Sequence, residues 1–176
     1  MTLLSSFIYT AGILACLLIL IILFRLRTKG RSQLILLGIF FFLFFVPLTA
    51  YSELHQLKVL QGISFLFSDS IGFAIGPLLY LYIKSLYKEE ELGLKKFWIH
   101  LIPLFLYLLF IGLPRWLAIW KSDIFPSYVQ LIDQYEVFLQ LQAFYLIAYC
   151  LASLSLLSTY QKLLRQNFSD LEEKEL

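Results

Sequence analysis

Long apolar stretches, set apart by short charged ones, dominate the chain. Five of them predict membrane-spanning helices: residues 3–24, 32–52, 59–86, 97–113 and 137–161. About twenty mainly apolar residues are enough to cross a bilayer as a helix. The first stretch is uncharged from Leu3 to Phe24 and is followed by Arg25, Arg27, Lys29 and Arg31. The second has a phenylalanine-rich centre (Phe40, Phe41, Phe42, Phe44, Phe45) and Pro47 near its far end. The third carries one charge, Asp69, within its apolar part and ends in Tyr80, Tyr82, Lys84, Tyr87 and Lys88, an aromatic and cationic anchor. The fourth opens with Trp98 and His100 and is interrupted by Pro103; the fifth has no charge before Gln161. The expected fold is all-α: a polytopic transmembrane bundle of five helices, one domain over residues 1–161, with a polar tail over residues 162–176.

Charge placement orients the bundle. No Lys or Arg precedes the first span, whereas a secretory signal has its positive charge in front. The first span is therefore read as retained, with the N-terminus outside. The inner segments then hold Arg25, Arg27, Lys29, Arg31, Lys84, Lys88, Lys95, Lys96, Lys162, Arg165 and Lys174, eleven basic residues. The outer segments hold three: Lys58, Arg115 and Lys121. Cytoplasmic loops carry the excess of Lys and Arg, so the C-terminus is expected in the cytoplasm and the protein in the inner membrane as a multi-pass chain. The tail carries a capping box, Ser169-Asp170-Leu171-Glu172, which predicts a new helix start with almost no chain left to run. Helices under roughly 12–15 residues are marginal in isolation, so the chain is expected to be a truncated piece of something longer.

Composition agrees with a bilayer environment. The sequence is 60% hydrophobic and 15% charged, against about 45–50% and about 25% in soluble domains; mean hydropathy is +0.81. A net charge of +2 gives no basis for direct nucleic-acid contact. Cys16 and Cys150 both lie inside apolar spans and read as small buried hydrophobes.

The third span concentrates the candidate chemistry. Gly62, Phe65, Asp69, Gly72 and Gly76 follow at steps of three, four, three and four, one face of a continuous helix. Gly72 and Gly76 form a G-x-x-x-G pair, which lets another helix approach closely and predicts a homo-oligomer contact through this face. A carboxylate in hydrocarbon costs about 2.5–3.5 kcal/mol on insertion scales, so Asp69 is expected to face protein or water. It reads either as a proton, cation or ligand site or as an interhelical hydrogen bond, for instance to a tyrosine. Pro77 is expected to bend the helix.

Other candidates lie outside this span. His55, with Glu53, sits in an outer loop and suits a ligand or external pH. His100 is placed near the inner end of the fourth span, about 30 Å of hydrocarbon away, so the two histidines cannot share a metal. Trp116 and Trp120, one helical turn apart, predict a short interfacial helix within the connection 114–136. That connection also holds Arg115, Lys121, Asp123, Asp133, Tyr135 and Glu136, a set able to line a ligand cleft, although an aromatic belt accounts for the tryptophans. No metalloprotease, hydrolase-elbow or phosphate-loop motif occurs. No catalytic residue, cofactor or metal is expected, and the chain is read as non-enzymatic.

The segments GPLLYLYIKSLY (Gly76–Tyr87) and HLIPLFLYLL (His100–Leu109), with the tail NFSDLEEKEL (Asn167–Leu176), resemble the N-terminal membrane domain of AraC-type bacterial transcriptional regulators. Those proteins place about seven spans before a cytoplasmic helix-turn-helix domain. The resemblance implies a sensory or regulatory input domain, here without its last spans and DNA-reading part, and with an unassigned ligand. The alternative is a small ion- or proton-coupled transporter or channel subunit using Asp69. A membrane enzyme acting on lipids is least favoured.

Overall fold

The computed structural model describes residues 2–26, 30–87, 94–120 and 137–172. All regular structure among them is helical: α1 (Thr2–Arg25), α2 (Arg31–Leu54), α3 (Lys58–Asp69), α4 (Ile71–Tyr87), α5 (Leu94–Tyr107), α6 (Leu113–Trp120) and α7 (Val137–Glu172), with a π-helical turn, Leu108–Gly112, joining α5 to α6. Among the described residues, four segments are long and apolar enough to cross a membrane: Leu3–Arg25, Arg31–Leu54, Trp98–Leu117 and Val137–Lys162. A fifth exists if α3 and α4, bent by 50° at Ser70, count as one. Apolar side chains lie outward along these helices, with Leu3 87%, Phe7 72% and Phe144 71% exposed. In water such surface would drive association; against lipid tails it costs nothing.

The core lies around α4. Ile35 and Ile39 from α2, Phe73, Ala74, Leu78 and Leu81 from α4, Leu101, Leu104 and Tyr107 from α5, and Ile111 from the π turn form one buried cluster. Small and polar groups set the packing, as expected where lipid removes the hydrophobic drive between helices. A Cβ on Gly12 would stand 3.3 Å from Pro47 Cβ, which places α1 close on α2. Thr49 Oγ1 donates to Ser68 Oγ at 2.9 Å, joining α2 to α3. The α2 phenylalanines gather around Phe67 of α3, with Phe45 and Phe67 stacked at 4.5 Å.

Three sequence expectations change. The third span is not one continuous helix, and its bend falls at Ser70 rather than at Pro77, which sits inside α4. Ser70 Oγ donates to the Phe67 carbonyl at 3.0 Å, a local bond that competes with the helix ladder. The fourth span does not stop at Leu113; it continues through the π turn into α6, so Trp116 belongs to the extended span and not to a separate interfacial helix. The Trp120 side chain and residues 121–136 lie outside the described set. Finally, Ser169 does not start a helix: α7 runs unbroken from Val137 to Glu172.

Candidate functional site

The break at Ser70 requires partners. Where a helix ends, its last carbonyls lose their intrahelical donors, and hydrocarbon offers no replacement. Gln142 of α7 supplies one: its Nε2 donates to the Asp69 carbonyl at 2.8 Å. The Asp69 side chain is met from the other side. Arg115 Nη1 of α6 lies 2.6 Å from Asp69 Oδ2, an ion pair whose side chains are 18% exposed for Arg115 and 24% for Asp69. The Tyr107 hydroxyl donates to the same oxygen. Arg115 Nη1 also donates to Tyr107 Oη at 3.1 Å. Tyr107 is 3% exposed and wedged between Phe73 and Phe138, at ring distances of 5.2 and 5.5 Å. A single residue at the end of α3 thus ties together α3, α5, α6 and α7.

The π turn makes this convergence possible. Tyr107 and Arg115 are eight residues apart, which on a regular α-helix places them about 80° apart around the axis. A π turn holds one residue more than an α turn, so the effective separation becomes seven and the offset falls to about 20°. Leu113 N–H bonds to the Leu108 carbonyl, five residues back, which is the wide-turn bond itself. Pro114 follows the turn two residues on and has no N–H to offer the Phe110 carbonyl four residues before it. Gly112 admits Leu66 of α3, whose Cδ1 would be 3.0 Å from a Cβ there.

Gly72 and Gly76 lie on α4, beyond the break from Asp69. A Cβ on Gly72 would stand 2.7 Å from Gln142 Cβ, and one on Gly76 would stand 3.0 Å from Tyr149 Cβ and 3.5 Å from Leu146 Cα. The glycine face expected to meet a second copy is thus covered by α7 of the same chain. His55 is elsewhere, exposed at the α2–α3 turn; its Nε2 is 3.0 Å from Ser6 Oγ and its ring lies 4.4 Å from that of Tyr51. The structure therefore joins Asp69 to Arg115, sets Gly72 and Gly76 of α4 against α7, and leaves His55 apart. Asp123, Asp133, Tyr135 and Glu136 lie outside the described residues.

Neither Tyr107 nor Gln142 stands out as a candidate when residues are taken one at a time. His100 Nδ1 is 2.8 Å from the Tyr149 hydroxyl, and its carbonyl accepts from Tyr145 at 2.9 Å. Phe138, Gln142, Tyr145 and Tyr149 recur at steps of four, three and four, a helix face visible in the sequence. Among the described residues no group of three or more His, Cys, Asp or Glu side chains is placed to hold a metal. No family model, curated protein or solved structure matches the chain.

Proposed function

We propose that the chain is a membrane-embedded sensory or regulatory input domain, similar to that of AraC-type regulators. It is seated in the cytoplasmic membrane with its N-terminus outside and its C-terminus inside. The supporting observation is the linkage at the α3–α4 break: Asp69 is held by Tyr107 and Arg115, and its carbonyl by Gln142 of α7, the helix that leads to the cytoplasmic end. A stimulus that binds one arrangement of this junction better than another shifts the junction, and with it α7; differential affinity is what such a shift requires. The test is a transcript comparison between native cells carrying wild-type and Asp69→Asn alleles. A discrete set of genes outside the chain's own operon should change. An unaltered transcriptome rejects the regulatory reading.

The break itself supports the second reading, an ion- or proton-coupled transporter or channel subunit, since interrupted helices form many transport sites. Arg115 weighs against it by neutralising the carboxylate that would carry the ion. Cation-dependent flux in proteoliposomes, abolished in Asp69→Asn, would establish this reading instead.

A further inference from the structure

The π turn and the Asp69 junction share one geometry. Tyr107 precedes the turn and Arg115 follows it, yet both reach Asp69 Oδ2. Only the additional residue in the turn sets the two donors on one face. If that turn closes to regular α geometry, the surplus residue passes along the eight residues of α6 to its end at Trp120. The side chains of residues 113–117 then rotate by about 100° and move about 1.5 Å along the axis. Arg115 leaves Asp69, while Tyr107, upstream of the turn, stays.

We propose that Leu108–Gly112 is a register switch: the wide turn is the engaged state, and its closure to an α turn is how the Asp69–Arg115 contact is released. This specifies how the junction described above changes state. It rests on that reading of the junction and not on what lies downstream. Two features hold the wide turn. One is the ion pair itself. The other is Pro114, whose ring opposes the tighter register at the Phe110 carbonyl. The flanking contacts suit such a motion: Gly112 presents no side chain to Leu66, and Leu113 and Leu117 are exposed, so rotating α6 exchanges one apolar outer face for another.

The experiment is a distance measurement by pulsed electron spin resonance on the full chain in lipid nanodiscs. Cys16 and Cys150 are replaced by Ser, and spin labels are placed at Leu57 and Leu117, both exposed. The wild-type background should give one dominant distance. Asp69→Asn and, independently, Pro114→Ala should each add a second population displaced by up to about 8 Å, the chord of a 100° turn on a helix about 11 Å across. Deleting Leu109 removes the surplus residue and keeps Tyr107 and Arg115 in line, so Asp69→Asn in that background should show one distance only. Unaltered distributions in both single variants, each monodisperse and helical by circular dichroism, overturn the switch. Should Asp69→Asn fail to fold, Pro114→Ala decides the matter, since it leaves the ion pair intact. No output is read in this measurement: a second distance without a transcript change keeps the switch and rejects the regulatory role, and the converse result does the opposite.

Discussion

Removing both partners of the Asp69–Arg115 pair should cost about as much as removing one. At a charge separation of about 4 Å and an effective dielectric near 20, the Coulomb attraction is about 4 kcal/mol. Desolvation offsets much of this. The side chains keep 18% and 24% of their exposure, which lowers both terms. The coupling that survives should be about 2 kcal/mol. Asp69→Asn leaves a guanidinium beside lipid without its counter-charge, and Arg115→Met leaves a carboxylate in the same position; each is expected to destabilise by about 2–3 kcal/mol, near the lower edge of values for broken buried pairs. The double variant replaces two charges by two neutral groups of similar shape and should lie within about 1 kcal/mol of a single variant rather than at their sum. The assay is reversible unfolding in mixed micelles, followed by circular dichroism, as a double-mutant cycle. Effects that add to within about 0.5 kcal/mol, the usual tolerance for independent sites, would refute the view that these residues act as a pair.

Glycine substitutions should separate tight from loose contacts. Gly76→Leu, built 3.0 Å from Tyr149 Cβ, should displace α7 and cost about 1–3 kcal/mol, whereas Gly38→Ala, with its nearest atom 3.8 Å away on Leu78, should change the same unfolding midpoint little. Gln142→Leu removes the donor to the Asp69 carbonyl and should cost about 1 kcal/mol; a smaller loss in a Gly72→Ala background would show that the two report one contact. For orientation, alkaline phosphatase fused after Leu57 should be active and fused after Gly30 inactive. The inverse pattern would reverse the charge-based topology.

The spans themselves were legible because their signal is local: each is a run of apolar residues bounded by charge, and length against bilayer thickness decides the rest. That Asp69 needs a protein partner was legible too, since an isolated carboxylate in hydrocarbon is costly. Its partner was not. Arg115 follows a proline, and on α periodicity it does not share a face with Tyr107. Only a wide turn aligns them, and nothing in a count of three-residue and four-residue steps announces a π turn. The same assumption of unbroken helix put Asp69 on one face with Gly72 and Gly76. The break at Ser70 ends α3 at Asp69 and separates them. Gln142, by contrast, was within reach. A glutamine within an apolar span, followed by Tyr145 and Tyr149 at helical spacing, is a polar face that requires a neighbour, and α4 is that neighbour.

Interrupting a helix in hydrocarbon strands backbone carbonyls, and charging the interruption strands a carboxylate as well. Both are tolerated here because the donors come from different helices: Gln142 from α7 for the carbonyl, Tyr107 and Arg115 from the α5–α6 arm for the side chain. Had all three come from one helix, the junction would lock two elements and leave the others independent. Arising from separate helices, they make the geometry of the break depend on the relative placement of four elements at once. Two donors that converge on one carboxylate oxygen also leave Asp69 electrically matched, which suits a contact that is made or broken as a unit better than a site that must repeatedly accept and discharge a cation. That is the physical ground for preferring a regulatory junction over a transport site. It also makes the junction testable against the transport reading: a variant that fixes the register by deleting Leu109 should suppress any Asp69-dependent flux as completely as Asp69→Asn does.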